Sequence, residues 1–181
     1  GAIVYAVHSM VVMAALYLAA GIIGRRAGSF DMRELGGYYA ASPWFAAGFL
    51  VLALAVAGMP PLSGFWPKLV LVKAAIAAGS TWLAAAILVT GLLTSLAVGR
   101  LWLYAFWRGG PEGVRDGAES WKIESLDGRP ALATYTPFAV LVALVLFLGL
   151  YPQPLAVFAL EGASGLIAPD AYIGSVFGET R

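Results

Sequence analysis

The feature that most constrains this chain is the stretch from Pro43 to Trp107, where the only charged side chains are Lys68, Lys73 and Arg100. A soluble domain carries roughly 45–50% apolar and about 25% charged residues. Here the figures are 61% and 12%, so too little polar material remains to cover a surface facing water on all sides. The sequence therefore predicts an all-α, polytopic transmembrane helix bundle.

A bilayer core needs roughly 20 apolar residues in a helix. Five stretches are read as membrane spans, at about 2–24, 43–59, 66–78, 82–107 and 137–150. The first stops at Arg25 and Arg26. A polar link follows, with a short surface helix expected to start at Ser29 as its N-cap. A second polar link, Arg108 to Thr136, holds four basic and five acidic residues. The tail, 155–181, reads as an interfacial helix carrying Glu161, then a last segment ending Asp170-Ala171-Tyr172-Ile173. The chain opens on Gly1 with no basic segment and cleavage site ahead of its first apolar run, so no signal peptide is read and a piece of a longer protein is expected. Arg25, Arg26 and Arg33 follow the first span; Arg108, Arg115, Lys122 and Arg129 follow the fourth. With five full crossings those loops fall on opposite sides, and the positive-inside rule gives no orientation.

Between the second and third spans lies Gly58-Met59-Pro60-Pro61-Leu62-Ser63-Gly64-Phe65-Trp66-Pro67-Lys68. Each proline removes an N–H and clashes one turn back, so no regular helix continues through Pro60, Pro61 and Pro67. Irregular backbone at membrane depth is tolerated where protein or a watery cavity satisfies it. A broken helix is expected here, with an ordinary surface turn as the alternative.

Lys68 follows this break and starts an apolar helix with no acid near it in sequence. Taking an ammonium out of water favours its neutral form, and intramembrane ionisable groups mark ion paths and proton relays. The alternative is a lysine that snorkels to lipid headgroups. Lys73, five positions on, lies about 140° round the helix from Lys68 and cannot share its face. It is a further proton-pathway candidate that lines a second polar surface or contacts a neighbouring subunit, with snorkelling as the alternative. His8, inside the first span, suits a proton relay or a neutral side chain bonded within the core. Tyr5, Ser9, Thr90, Thr94 and Ser95 either extend a wet hydrogen-bonded chain or join helices together.

Other function classes find no support. A net charge of +1 without a basic cluster gives no nucleic-acid footprint. With no cysteine and one histidine, no thiolate or multi-histidine metal site can form within the chain. A phosphate loop, a nucleophile with its base and a dinucleotide fingerprint are all missing. No catalytic site, cofactor or metal is expected.

The segment Ala57 to Lys68 resembles the signature of the proton-translocating antiporter-like subunits, the superfamily that includes large membrane subunits of respiratory complex I and of multisubunit cation/proton antiporters. His8 to Leu18 resembles the helix two spans earlier in those proteins. Asp170-Ala171-Tyr172-Ile173-Gly174-Ser175-Val176 resembles the end of the D-type subunits of Mrp-type (Pha-type) antiporters. The three occur in matching order and spacing. The resemblance implies a C-terminal portion of a larger subunit built from two inverted repeats, each with a broken helix. It implies that Lys68 is the terminal proton-channel residue and that His8 lies on a central hydrophilic axis. It also implies partners: the other subunits of the complex, the bilayer, H⁺, and Na⁺ or K⁺. The chain departs from the pattern at Val12, where several relatives carry lysine, and at Pro67, where a small residue is commoner. Lacking the N-terminal repeat, the chain alone is not expected to transport. The rivals are a proton-pumping subunit of an NADH-quinone oxidoreductase and a purely structural membrane scaffold.

Overall fold

The computed structural model describes residues 1–110, 129–167 and 173. Helix α1 spans Ala2–Ala27 and ends at Gly28, whose φ of 72° lies in the left-handed region. Arg25 and Arg26 occupy its last turn, beside the negative end of the helix dipole. The expected surface helix at Ser29 does not form. Instead Ser29 Oγ accepts the Asp31 N–H at 3.1 Å and Asp31 Oδ1 accepts the Arg33 N–H at 2.9 Å. Short polar side chains that bond two residues ahead close turns in place of a helix. A four-residue helix, α2 (Tyr38–Ala41), comes later.

Helices α3 (Pro43–Ala57), α4 (Phe65–Ala77) and α5 (Thr81–Trp102) follow. A wide π turn, Leu103–Trp107, extends α5 and closes on the bond from Arg108 N–H to Leu103 O. Then come α6 (Arg129–Leu150) and α7 (Gln153–Ile167). Helix α6 begins well before Pro137, the expected start of its span, and runs straight through that proline. Loss of one N–H, which here leaves the Ala133 carbonyl without its helical donor, is tolerated in an apolar helix where other groups adjust.

Among the described residues, three helices are long and apolar enough to cross a membrane: α1, α5 with its π turn, and α6. At 15 and 13 residues, α3 and α4 rise about 22 and about 20 Å, short of a hydrocarbon core about 30 Å thick. They follow one another down the length of α5. Phe45 and Phe49 of α3 meet Phe106 at 5.8 and 4.7 Å between ring centroids. Ala57 and Lys68, on either side of the break, line one cavity with Gly91 in the middle of α5. A tight turn at Gly79 (φ 71°) then joins α4 to the start of α5. The bundle is all-helical as expected, and the apolar stretches read as the second and third spans stand end to end along α5, on either side of the expected break.

This changes which ends meet. Arg108, just past α5, donates through Nη2 to the carbonyls of Met32, Arg33 and Leu35, just past α1, at 3.2, 2.7 and 2.8 Å. Its own carbonyl accepts the Gly37 N–H. The loops that follow α1 and α5 therefore lie at the same end of the bundle, so the opposite-side placement derived from five crossings is corrected. Arg115 and Lys122, and the resemblance over Asp170 to Val176 apart from Ile173, lie outside the described residues.

Helix α3 packs against α1, α5 and α6 and supplies much of the core through Phe45, Ala46, Phe49, Leu52 and Ala53. Ala15 and Ala19, one turn apart on α1, are fully buried; such small residues let apolar helices approach closely. Trp102 and Phe106 stack at 4.7 Å and cover Phe49. The other face of α5, with Leu88, Val89, Leu92 and Leu96, is exposed. Helix α7 packs on α1 with Ala159 buried and Glu161 exposed.

Candidate functional site

The site forms where α3 stops. Gly58 takes a φ of 86°, and the N–H groups of Gly58 and Met59 reach back to the carbonyls of Ala55 and Leu54 at 3.0 and 3.1 Å. This left-handed glycine cap satisfies two of the four carbonyls that every helix leaves open at its C-terminus. The remaining two, Val56 and Ala57, accept from the Lys68 ammonium at 2.8 and 2.9 Å. A lysine in the first turn of α4 thus completes the end of α3 across the break.

The connecting residues form two successive turns, Leu62 N–H to Met59 O at 3.0 Å and Phe65 N–H to Leu62 O at 3.1 Å, with a cis bond between Pro60 and Pro61. Pro67 is fully buried within the first turn of α4, where backbone N–H groups have no partner inside the helix and a missing one costs little. The segment is bolted to α6: Trp66 Nε1 donates to Gly149 O at 2.8 Å. A Cβ on Gly149 would lie 2.6 Å from Ser63 N, so only glycine permits this approach.

His8 and Ser63 are each 4% exposed, and Nδ1 of the imidazole lies 2.9 Å from the Ser63 hydroxyl. The tautomer decides which of them donates. A cavity of about 40 Å³ is lined by Tyr5, His8, Ser9 and Lys68. It has room for water, which needs about 10–15 Å³ per position. A second cavity, of about 320 Å³, opens between α4 and α5; Gly58, Gly91 and Ser95 border it, and most of its wall is apolar, including Phe65, Leu69, Leu88 and Leu92. Lys68 therefore touches two separate spaces, with His8 on the first and the middle of α5 on the second.

Not every candidate gathers here. Lys73 lies on the outside of α4, apart from Lys68 and His8, and lines neither of these cavities. Thr90 bonds the carbonyls of Ala86 and Ile87, Thr94 that of Thr90 at 2.7 Å, and Ser95 that of Gly91 at 2.9 Å. All three hydroxyls turn back on their own helix and neither join helices nor form a chain. Of them, Ser95 still borders the larger cavity.

Residues 1–94 match the profile of the family described as NADH:quinone oxidoreductase/Mrp antiporter, transmembrane. The chain belongs to this family. Among its relatives, the D-type subunit of the Na⁺/H⁺ antiporter of Alkalihalophilus pseudofirmus is 36% identical over 179 residues, 99% of this chain and 34% of that protein. The M-type subunit of the NADH-quinone oxidoreductase of Mycobacterium tuberculosis is 36% identical over 154 residues, 85% of this chain and 26% of that protein. The structure of the Mrp complex from Dietzia sp. superposes with a TM-score of 0.79 at 30% identity, over 94% of this chain and 38% of that one. The chain thus spans about a third of the length of its curated antiporter relatives, and it is part of a multi-pass membrane protein.

Ser63 lies in the break that the prolines announce, but its pairing with His8 and the parts taken by Trp66, Gly149 and the carbonyls of Val56 and Ala57 are not legible in the sequence. Backbone carbonyls carry no residue signature. Pairing across 55 positions has none either. Replacing Ser63 with alanine leaves a buried imidazole nitrogen without its partner, at about 1–3 kcal/mol. The purified full-length protein should then unfold at a lower temperature than wild type, with Ser63→Thr closer to wild type.

Proposed function

We propose that the chain is the proton-conducting C-terminal part of a D-type subunit of a multisubunit Na⁺ or K⁺/proton antiporter in a bacterial cell membrane. It acts as a transporter subunit with the other subunits of its complex. The observation that supports this best is the position of Lys68 between two cavities, held by two carbonyls and approached by His8 from one side. A proton reaches His8, crosses water in the small cavity to a neutral Lys68, and later leaves the ammonium for the larger cavity beside α5. Lys73 stands outside this route. Arg25, Arg26, Arg33 and Arg108 share one end of the bundle, which the positive-inside rule assigns to the cytoplasm.

The identity to an M-type subunit of NADH-quinone oxidoreductase favours a second reading, in which the same route serves a pump driven by quinone reduction. Inverted vesicles carrying the complete complex separate the two. With a proton gradient imposed by an unrelated donor, addition of Na⁺ or K⁺ is expected to dissipate it. A complex that moves protons only while quinone is reduced would reverse the choice.

A further inference from the structure

We propose that the carbonyl pair of Val56 and Ala57 is a monovalent-cation subsite, occupied in turn by the Lys68 ammonium and by a free Na⁺ or K⁺. This rests on the antiporter reading above, but its test reads binding and not exchange.

Four observations lead there. The two carbonyl oxygens already converge on one positive centre, at 2.8 and 2.9 Å from Nζ. They are the last two carbonyls of α3, at the negative end of its dipole, and among the described residues no backbone donor reaches them. Broken transporter helices use such C-terminal carbonyls to coordinate cations. Secondly, among the described residues no carboxylate lines either cavity; His8 and Tyr5 on α1 are the titratable groups that share a cavity wall with Lys68, and α3 and α5 add none. The subsite therefore rests on dipoles alone and holds one positive charge at a time.

Thirdly, space has been cleared around the ammonium. A Cβ on Gly58 would lie 3.0 Å from Nζ, and one on Gly91 3.8 Å. Finally, the cavity of about 320 Å³ on that side is apolar over most of its wall, which suits the methylene stem of a displaced lysine, and it has Ser95 at its border and room for an incoming ion. When the ammonium releases its proton to water in this cavity, the neutral amine leaves the carbonyls and one cation takes its place. One H⁺ departs as one Na⁺ arrives, and the charge at the carbonyl pair is unchanged. Coupling then follows from competition for one place.

The test is equilibrium binding of radioactive sodium to the purified complete complex across a range of pH. In the wild type, one site should gain affinity by about tenfold per pH unit while protons compete for it. Lys68→Met should bind the same number of ions, with that site's affinity independent of pH. Lys68→Arg should bind one ion fewer at every pH, because guanidinium cannot be neutralised and stays on the carbonyls. If Lys68→Met fails to fold, Lys68→Arg decides alone. Wild-type stoichiometry in Lys68→Arg, one ion fewer in Lys68→Met, or an unchanged pH slope in Lys68→Met overturns the subsite. Lost exchange with unchanged binding would leave Lys68 a proton carrier without the subsite, whereas normal exchange without Lys68 would remove the carrier reading itself.

Discussion

Alanine in place of Gly64 is expected to prevent the bundle from closing around its break. The backbone there is ordinary, with φ −76° and ψ −16°, so strain in the residue itself is not the cause. The cause is proximity: a Cβ would overlap the carbonyl oxygen of Ala55 and sit 2.9 Å from Nε2 of His8. Ala55 cannot retreat, because its carbonyl also takes the Gly58 N–H that ends α3. Adding a methylene to a packed interior typically costs about 1–3 kcal/mol, and here the obstacle is backbone, so the loss should reach the upper end of that range or exceed it. Much less full-length protein should accumulate in the membrane, and what remains should not exchange ions. Gly99→Ala is the matching control. A Cβ there meets nothing within 4 Å, and replacing a mid-helix glycine gains up to about 1 kcal/mol. Equal accumulation of the two variants would show that Gly64 is not a close approach.

Gly64 also marks the limit of what the sequence discloses. The run from Gly58 to Lys68 announces a break through its prolines, and Lys68 stands out because charge is so rare around it. Such signals come from residue type, and the all-helical bundle follows from them. What the lysine does follows from its neighbours. Its acceptors are backbone carbonyls eleven and twelve residues back, invisible in any side-chain pattern. Gly64 and Gly149 are needed for contacts with chain far away in sequence. The relation of α3 to α4 is hidden for a related reason: each is apolar enough to be read as a span, and only the packing shows that they stand end to end along α5. Once they do, the conflict among the arginines disappears, because Arg108 bonds the very loop that follows Arg25 and Arg26.

The second large effect concerns Lys68 itself. Its removal takes the hydrogen bonds from the Val56 and Ala57 carbonyls, each worth about 1.5–3 kcal/mol with a charged donor. Ala57 borders the cavity of about 320 Å³ and Val56 the one of about 40 Å³, so water can take over part of what the ammonium supplied. The Gly58 cap and the Trp66 bond to Gly149 persist without the lysine. Assembly should therefore survive while the group that carries charge between the two cavities is gone. Lys68→Arg refines the comparison, because it keeps a cation at the helix end but cannot give up a proton; it too should fail to exchange.

The most direct measurement is cation/proton exchange in inverted vesicles containing the complete complex, with Lys68 changed to alanine in the full-length protein and the amount of assembled complex determined in parallel. Exchange at background level, at least about tenfold below wild type, with a normal amount of assembled complex is the expected result. Wild-type exchange from the Lys68→Ala complex would contradict it, leaving the lysine as a cap on α3 and the chain as a scaffold.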